Sequence, residues 1–543
     1  MKTPASRIND IRNFTNQFRR TSKKIGRAIA SCLLCSVFLA LPVWSVSGSQ
    51  QSSGASQESS AGGQEPSGCG LPPNDAYDTT LQYVETFYPL WFTYNQAVEV
   101  NRLVGPERVS PLYHSVVMIN DDTVYCSAFL NLVDGVTQTP QILTIPPTVS
   151  PDTCSPHMSV TYSVLILSPY GDVEPLATNP CAGPTPTALI PHGAPPQAGG
   201  TFALVGPDYA GHPPIPPTVR IVHMPWNYPT IIFRSDKYHS FEGPSNYVNQ
   251  IGESYRFRSS LQLQTLSDWR QCHFGGYADV KPEFPDFSAP YKTAADREIA
   301  NHPIAFLRQL QAAVNSARTP PNTCAMALAA QFDALFGNGH WPDNSLFGRG
   351  AQGAHAAIVN NYVNGHQLPN NWTHFTNIGN WDPDNISISN AIDRSSITEF
   401  CQFCNDINSA GYYHAFRDST GSALNGNNQR GYVLTFPPAA LGGYPGPETT
   451  RFWSLTAYTP QAIELIPNRI HRYEVASYSG AHLNPDGSLS IYMAAQAPAG
   501  IPIENWLPVG RGPFNVVLRD YGPPVGGSVV CDTYIPPAIQ RRP

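Results

Sequence analysis

The chain has 543 residues, of which 41% are hydrophobic, 11% aromatic and only 13% charged, and its formal net charge is −7. This length predicts two to four domains, and the hydrophobic content excludes a chain that is disordered throughout. The low charged fraction excludes a coiled coil or a long solvated helix bundle.

The N-terminus has the pattern of an export signal. Its first 27 residues carry eight basic side chains and one acid, Asp10, and an uncharged stretch follows from Ala28 to about Val46. A basic region followed by a short apolar region predicts a signal peptide over residues 1–48. The alternative is an uncleaved anchor helix, because the stretch approaches the ~20 residues that span a bilayer. Both interpretations place the rest of the chain outside the cytoplasm, either secreted or periplasmic.

Removal of the leader makes the remaining chain strongly acidic. The 32 basic and 39 acidic residues fall to 24 and 38, a net charge of −14. Such a surface repels phosphate backbones, so nucleic acid is excluded as a partner, and membrane contact is expected only through an uncleaved leader. Nine cysteines remain, which predicts disulfides with at least one thiol left over. The oligomeric state stays open.

The folded part divides into three regions by its hydrophobic patterns. Residues 49–70 are rich in Ser, Gln and Gly and are predicted to be a disordered linker. From 71 to 290, short apolar runs such as Ser115 to Ile119 and Gln141 to Ile145 alternate with turn residues, which is typical of an antiparallel β-sandwich or jelly roll. A helix from Asp78 to Arg102, interrupted by Pro89, is expected to open this region.

The spacing of apolar residues is typical of helices from residue 291 to 370 and of strands again from 371 to 543. Apolar residues three and four apart predict helices over Pro303–Ala317, Thr323–Phe336 and Ala354–Val363. In the last region the turn Asn484 to Gly487 predicts a hairpin. The predicted fold class is therefore mainly β: two antiparallel jelly-roll or β-sandwich domains joined by an α-helical segment.

Two groups of short motifs resemble a known pair of domains. Residues 119–132 read INDDTVYCSAFLNL and resemble the N-N-D-T-x-Y-S-x-A-x-x-D-L signature of the DUF1254 domain, and Gly206 to Gly211 resembles its G-P-x-W-x-G turn. The motifs that resemble the companion DUF1214 domain follow in order: Phe452–Tyr458, Arg472–Tyr473, Asp486–Leu489, Asn505–Pro508 and Arg519–Pro523.

The resemblance covers residues 75 to 540. It implies a DUF1254-like domain at 71–290, a helical segment at 291–370 and a DUF1214-like domain at 371–543. It also implies paired jelly-roll-like domains in an exported protein, in a family whose biochemical activity is not settled. Departures from the motifs, such as Asn131 in place of Asp, weaken any transfer of site residues.

The motif at 119–132 contains the first candidate site. Neighbours in a strand point to opposite faces, so Asp121 and Asp122 cannot line one pocket unless a turn intervenes. Asp122 in an apolar cavity would have a raised pKa and serve as a general acid or base. The structural alternative is an Asx-turn formed by Asn120 to Thr123 at the entry of a strand.

Charged and aromatic residues in apolar strands form a second set of candidates. Arg234, Arg472 and Arg519 must each meet a carboxylate, a carbonyl or a ligand anion, since arginine cannot lose its charge. Aromatic rings beside Asn, Asp and Arg suit a sugar ring. The predicted ligand-binding residues are Asn120, Asp121, Tyr125, Arg234, Trp453, Tyr458, Arg472, Asn505, Trp506 and Arg519, and the predicted catalytic residues are Asp122 and Glu504. The structural alternative places these groups in buried ion pairs and in the core.

Other motifs give no support for a metal or a cofactor. The histidines are dispersed, and only assembly from separate strands, with His212, His223 and His239 as first candidates, would make a metal site. Cys401-Gln402-Phe403-Cys404 fits a structural disulfide or two unrelated thiols better than a redox motif. Gly348 to Gly353 matches G-x-G-x-x-G but has no strand before it, so it is interpreted as a chance match.

Three functions remain open. The first is binding of a polar, carbohydrate-like ligand by the β domains, and the second is a glycan-directed hydrolase or lyase that uses a carboxylate as acid or base. The third is an envelope structural or assembly protein without a small-molecule site.

Overall fold

The computed structural model describes residues 69–104, 117–148, 160–174, 181, 188–190, 199–240, 247–273, 291–316, 323–379, 388–439 and 443–542. The predicted leader and nearly all of the predicted linker lie outside the described residues. Helices make up about 30% and strands about 25% of the structure. The protein is therefore mixed α/β, and the expectation of a mainly β chain underestimated its helices.

The first β region forms two four-stranded sheets within the described residues, in the orders β1-β9-β5-β6 and β12-β4-β7-β8. Short ribbons β2–β3 and β10–β11 accompany them. The strands are β1 (Thr123–Phe129), β2 (Val133–Asp134), β3 (Thr137–Gln138), β4 (Gln141–Ile145), β5 (Tyr162–Leu167), β6 (Val173–Glu174), β7 (Gly200–Val205), β8 (Arg220–His223), β9 (Thr230–Asp236), β10 (Tyr238–Ser240), β11 (Tyr247–Asn249) and β12 (Gln262–Thr265).

Strand β1 is buried along its whole length because both of its faces are covered. Its side chains alternate between the faces. Cys126 and Ala128 join a core that also contains Leu143 of the second sheet, whereas Tyr125 and Phe129 join a larger core that is shared with the helices. The first sheet is thus the middle layer between the second sheet and the helices.

The second β region repeats this layering. Its sheets run in the orders β13-β14-β20-β16-β17 and β19-β18-β15-β21. The central strand β16 sends Leu455 into a core between the sheets and Tyr458 into the helical core. The strands are β13 (Trp372–Thr373), β14 (Ala410–Ala415), β15 (Tyr432–Phe436), β16 (Phe452–Tyr458), β17 (Glu474–Ala476), β18 (Leu489–Ala494), β19 (Trp506–Pro508), β20 (Asn515–Tyr521) and β21 (Gln540–Arg541).

Most strand pairs are antiparallel as expected, with two exceptions. Strand β8 pairs parallel with β7, and β19 pairs parallel with β18. The predicted turn at Asn484 to Gly487 does form, with the Gly487 N–H donating to the Asn484 carbonyl at 2.9 Å. It lies between β17 of one sheet and β18 of the other, so it does not close a hairpin.

The helices form a layer of their own. They are α1 (Ala76–Val104), α2 (Ile251–Ser260), α3 (Leu266–Arg270), α4 (Tyr291–Asn301), α5 (Pro303–Ser316), α6 (Thr323–Phe336), α7 (Leu346–Asn360) and α8 (Ile388–Cys401), with single turns at Asn361–Gly365, Pro369–Asn371 and Ile503–Asn505. Buried side chains of α1 and α4 to α8 share one core with the facing strands. The helical layer thus includes α1 and α8, which lie outside the predicted central segment of 291–370.

Helix α1 continues through Pro89, where the sequence predicts an interruption. Proline has no N–H, so the carbonyl of Glu85 loses its helical donor. The Ser395 hydroxyl of α8 donates to that carbonyl at 2.6 Å. A neighbouring helix therefore replaces the lost hydrogen bond, which lets the helix remain unbroken.

Cross-links connect distant parts of the chain. Disulfides join Cys69 to Cys324 and Cys181 to Cys531. None of the described helices combines the length and the hydropathy that crossing a bilayer requires. The disulfides are consistent with an extracytoplasmic location.

Candidate functional site

The segment before β1 connects the two β regions. Residues 117–119 form no strand, contrary to the predicted run Ser115 to Ile119, and Met118 has a left-handed φ of 57°. The Met118 N–H donates to the Ile463 carbonyl at 3.1 Å, and the Tyr458 hydroxyl donates to the Ile119 carbonyl at 2.8 Å. The backbone just before β1 is therefore held by hydrogen bonds to the second β region.

Asn120 forms the Asx-turn that the structural interpretation expects. Its Oδ1 accepts from the N–H groups of Asp122 at 3.2 Å and Thr123 at 3.4 Å. Its Nδ2 donates to the Tyr521 hydroxyl of β20. The turn directs Asp121 and Asp122 to different surroundings just before β1 begins.

Asp122 is fully buried between the two β regions. Its carboxylate accepts from the Ser454 hydroxyl at 2.8 Å and from the Tyr478 hydroxyl at 2.7 Å. Burial raises the pKa of Asp122, and this effect outweighs the opposing charge of Arg519 and the two hydrogen bonds. No direct ion pair neutralises Asp122 among the described residues.

Tyr478 links Asp122 to a second carboxyl group, that of Glu474. The Tyr478 hydroxyl lies 3.3 Å from Glu474 Oε1. A phenol has one proton to donate, and the shorter contact assigns it mainly to Asp122, so the contact of the Tyr478 hydroxyl with Glu474 Oε1 is the weaker of the two. Burial, reinforced by the charges of Asp122 and Asp121, raises the pKa of Glu474 well above its usual value. The raised pKa favours the protonated form of Glu474, which lies at one end of a short hydrogen-bonded chain.

This chain of groups borders a surface cleft of about 370 Å³ at the junction of the two β regions. Its lining residues are polar or aromatic for the most part: Asp121, Lys237, Tyr238, Ile251, Ile470, His471, Arg472, Tyr473, Glu474, Tyr478 and Ser479. Lys237 forms an ion pair with Asp121. Burial opposes the charge on Lys237, but Asp121 outweighs it and raises the pKa of that lysine.

A separate, small cavity of about 20 Å³ lies deeper at the same junction. Its lining residues are Val117, Met118, Ile119, Asn120, Tyr125, Arg234, Cys401, Phe403, Cys404, Tyr412, Arg519 and Tyr521. The guanidinium groups of Arg234 and Arg519 are both buried here, 4% and 1% exposed as residues. Strand pairing places Arg234 opposite Tyr125, and the guanidinium lies 5.3 Å from the centre of that ring.

The predicted ligand-binding residues fall into three groups: those at the cleft, those at the small cavity and those that lie elsewhere. Asp121 and Arg472 line the cleft. Four others, Asn120, Tyr125, Arg234 and Arg519, line the small cavity. Tyr458 accepts a hydrogen bond from Arg519 at 2.7 Å and so lies directly behind the cavity wall.

The remaining predicted residues lie elsewhere. Trp453 is buried in the core between the sheets of the second β region. Asn505 binds the backbone of His482, and Trp506 donates to the Ala494 carbonyl at 2.9 Å. Glu504 is a surface residue, with its side chain 37% exposed and 3.9 Å from His482. The structure therefore does not bring the two predicted catalytic residues, Asp122 and Glu504, together.

Lys237, Glu474 and Tyr478 are among the cleft residues that the sequence did not identify. Lys237 is one of only three lysines after residue 48, a rarity that gives a usable signal. Glu474 and Tyr478 each lie an even number of residues after Arg472, so a strand over this run would put all three side chains on one face. Their proximity to Asp122 had no signal in the sequence.

One cluster in the helical layer brings together groups of the type that bind metals. Ligand atoms of Asp296, His355 and Glu399 lie within 4.8 Å of one another. Lys292 Nζ forms ion pairs with both carboxylates, at 3.0 Å to Asp296 and closer still to Glu399. The lysine therefore supplies the positive charge that these carboxylates require. His212, His223 and His239 form no such group in the described part of the chain.

The two discounted motifs have structural explanations. Cys401 and Cys404 form a disulfide at the C-terminal end of α8, where the helix dipole disfavours a thiolate. The G-x-G-x-x-G match lies on α7, at its close contact with α1. A Cβ atom on Gly350 would lie 2.9 Å from the Tyr77 carbonyl oxygen. Glycine is needed there for helix packing and not for binding a phosphate.

The layered fold and the junction site define a two-domain protein in which each β domain contributes residues to one polar site. Residues 100–258 match the family profile DUF1254 and residues 409–525 match DUF1214, each described as a protein of unknown function. The chain belongs to the DUF1254/DUF1214 two-domain proteins.

Of two similar solved structures, the first supports the fold. The VPA0106 protein from Vibrio parahaemolyticus is 17% identical, with a TM-score of 0.51 over 86% of this chain and 100% of that one. An uncharacterised protein from Burkholderia cenocepacia is 14% identical, with a TM-score of 0.36 over 86% and 92% of the two chains. No curated protein matches the sequence significantly.

Proposed function

We propose that this protein is exported and binds a polar, carbohydrate-like ligand in the cleft between its two β domains. The observation that carries the proposal is the composition of the cleft, which combines carboxyl groups, basic groups and tyrosine rings in a volume of about 370 Å³. Hydroxyl groups of a sugar bind acceptors such as Asp121 and donors such as Lys237. The C–H face of a sugar packs on aromatic rings.

Tyrosines supply the apolar part of the cleft. The rings of Tyr238 and Tyr478 stack at 4.3 Å between centroids, and Tyr473 also lines the cleft. Each ring of this pair is held by the other, and both residues line the cleft. Their apolar surface suits the C–H groups of a pyranose ring, and the neighbouring groups of both signs of charge suit its hydroxyl groups.

The proposal includes the finer features of architecture and location. Each pair of sheets is assigned as a jelly roll, and residues 1–48 are assigned as a signal peptide, in keeping with the disulfides of the folded part. Amino-terminal sequencing of the protein purified from its natural compartment tests the second assignment. A chain that begins near residue 49 supports cleavage, and a chain that retains Met1 supports the anchor alternative.

A glycan array and a thermal-shift screen on the purified protein test ligand binding. We expect a hit to raise Tm, and we expect the rise to be lost in Asp121→Asn and Arg472→Gln. Arg511→Gln is the matched control, because Arg511 lines a different groove of about 460 Å³ in the second β domain. If the rise in Tm were lost equally in all three variants, the ligand would not bind in the cleft.

A glycan-directed hydrolase or lyase is the second candidate function. The chain from Glu474 through Tyr478 to Asp122 favours it, because a neutral carboxylic acid that faces a cleft can donate a proton to a leaving group. The Tyr478 hydroxyl would then donate to the charged Glu474 and stabilise it, and a proton taken up from solvent would restore the acid.

Turnover of any ligand found in the screen tests this second function. Glu474→Gln and Asp122→Asn are expected to lower kcat by about 10²-fold or more. Glu504→Gln is the control, since that residue lies outside the cleft, and its kcat should match the wild type. Binding without turnover in the wild type would leave only the first function, and the absence of both would favour an envelope structural protein.

A further inference from the structure

The small buried cavity at the domain junction has more positive charge than its surroundings neutralise. Arg234 donates from Nη1 to Asn405 Oδ1 at 3.0 Å and from Nη2 to the Phe403 carbonyl. Both acceptors are neutral. Among the described residues no carboxylate forms an ion pair with this guanidinium, although it is almost fully buried.

Arg519, in the other β domain, is also buried and forms no ion pair with a described carboxylate. Its Nη2 donates to the Met118 carbonyl at 2.8 Å and to the Tyr458 hydroxyl at 2.7 Å. Its Nη1 is sealed from solvent and has no hydrogen-bond partner in the described part of the chain. The charge of Asp122 acts on Arg519, but the two form no ion pair, and the Asp122 carboxylate accepts from Ser454 and Tyr478 instead.

The polar groups around the cavity are mainly donors. The Tyr412 hydroxyl accepts from Asn405 N at 3.0 Å and from Asn405 Nδ2 at 2.9 Å, so its own proton is left to donate. The Tyr521 hydroxyl likewise accepts from Asn120. A water molecule here would need acceptors for both of its protons, whereas an anion needs only donors.

We propose that this cavity binds a chloride ion between Arg234 and Arg519. A buried charge without a counter-ion costs several kcal/mol, and an anion in contact with two guanidinium groups removes that cost. A volume of about 20 Å³ admits a single small sphere. Phosphate, sulfate and carboxylates are too large for it.

The chloride would connect the two family domains. Arg234 and Tyr125 lie in the DUF1254 match, and Arg519, Tyr412 and Tyr521 lie in the DUF1214 match. Anion binding then stabilises the junction that also forms the cleft. The site does not depend on the identity of the cleft ligand.

Crystals grown in sodium bromide test the proposal directly. We expect one anomalous bromide peak between the Arg234 and Arg519 guanidinium groups. A water molecule, or no density, at this position would overturn the proposal, whether or not the variants below fold.

Thermal unfolding provides the second test. Tm should rise in a saturable way as sodium chloride replaces sodium gluconate at constant ionic strength, because gluconate is too large to enter. Arg234→Gln should lose this dependence, and Arg511→Gln, on the distant surface groove, should keep it. A chloride response that is linear and equal in all three proteins would be a general salt effect and would contradict the site.

Discussion

At the scale of single residues, Glu474 combines a carboxyl group of raised pKa with a position at a cleft. Its Oε2 is buried and has no hydrogen-bond partner in the described chain, although the residue as a whole is partly exposed. A polar atom left in this state lowers stability. Such a loss of stability is common where a group is retained for binding or catalysis.

Glu474→Gln is therefore expected to stabilise the protein while it weakens the function of the cleft. The pKa of Glu474 is raised in the folded state, so the folded state binds an extra proton and wild-type stability falls as pH rises above about 4.5. Glutamine does not ionise, so the variant lacks this pH dependence of stability. Urea unfolding should show the variant more stable than the wild type at pH 8 and equal to it at pH 4.

A lower stability of Glu474→Gln at pH 8 would contradict this assignment of a neutral acid. Asp121→Asn serves as a comparison, because Asp121 is in an ion pair with Lys237. That variant should be less stable than the wild type at the same pH.

His355 controls a second pH dependence, of the same sign, in the helical layer. Its Nε2 lies 3.4 Å from Asp296 Oδ1 and 3.5 Å from Glu399 Oε1. Burial disfavours the charged ring, but the two acids outweigh it and raise the pKa of His355 to about 9. The groups that face it are Lys292 and Tyr88, besides the two acids.

Stability should fall as pH rises from 6.5 to 9 because of His355. The stabilisation is complete below the unfolded pKa of 6.5 and is lost as the folded pKa of about 9 is passed. A shift of this size corresponds to about 3 kcal/mol. Urea unfolding of His355→Gln should show a much flatter profile in this window, and exposed His302→Gln should keep the wild-type slope. A flat wild-type profile would exclude a protonated His355.

At the scale of elements, the packing of α1 against α8 depends on one hydroxyl group. Proline at position 89 removes the N–H that would bind the Glu85 carbonyl, and Ser395 replaces it. Arg394 of the same helix donates to the next carbonyl, that of Thr86, at 2.8 Å. Consecutive residues of α8 thus compensate for a proline in α1.

Ser395→Ala is expected to destabilise the protein by about 1–3 kcal/mol, because it leaves a buried carbonyl without a donor. The midpoint of urea unfolding measures this loss. Ser259→Ala is the matched control, since its hydroxyl donates to the Tyr255 carbonyl on an exposed face, where water replaces it. Equal effects in the two variants would mean that Ser395 does not compensate for Pro89.

At the scale of the whole molecule, the disulfide between Cys181 and Cys531 joins the first β domain to the C-terminal part of the second. The two cysteines are 350 residues apart in the sequence. A cross-link over so long a loop restricts the unfolded chain strongly. It also holds together the two domains that form the cleft and the buried cavity.

The double variant Cys181→Ser, Cys531→Ser should lose about 2–5 kcal/mol of stability. Thermal unfolding with and without a reductant measures this loss, and the reductant should lower Tm less in the variant than in the wild type. Cys272→Ser, at an exposed cysteine outside the disulfides, should unfold like the wild type. An unchanged Tm in the double variant would mean that the disulfide does not support the junction.

Local patterns predicted several of the individual elements and the family. Strand β4 and helix α6 have the predicted bounds, because alternation and helical periodicity are properties of neighbouring residues. The motif at 119–132 also indicated the family correctly. The helix α1 was expected to break at Pro89, since its compensating partner lies in a distant helix.

The family, several elements and a set of polar residues that have no place in an ordinary core, such as Asp122, Arg234 and Arg519, can be identified from the sequence alone. Which of these residues meet depends on the tertiary fold. Asp122 and Tyr478 are 356 residues apart, and Asn120 and Tyr521 are 401 apart. Side-chain periodicity acts over a few residues, whereas burial and pKa depend on every group nearby in space. Glu474 and the two-arginine cavity therefore emerged only when the domains were folded together.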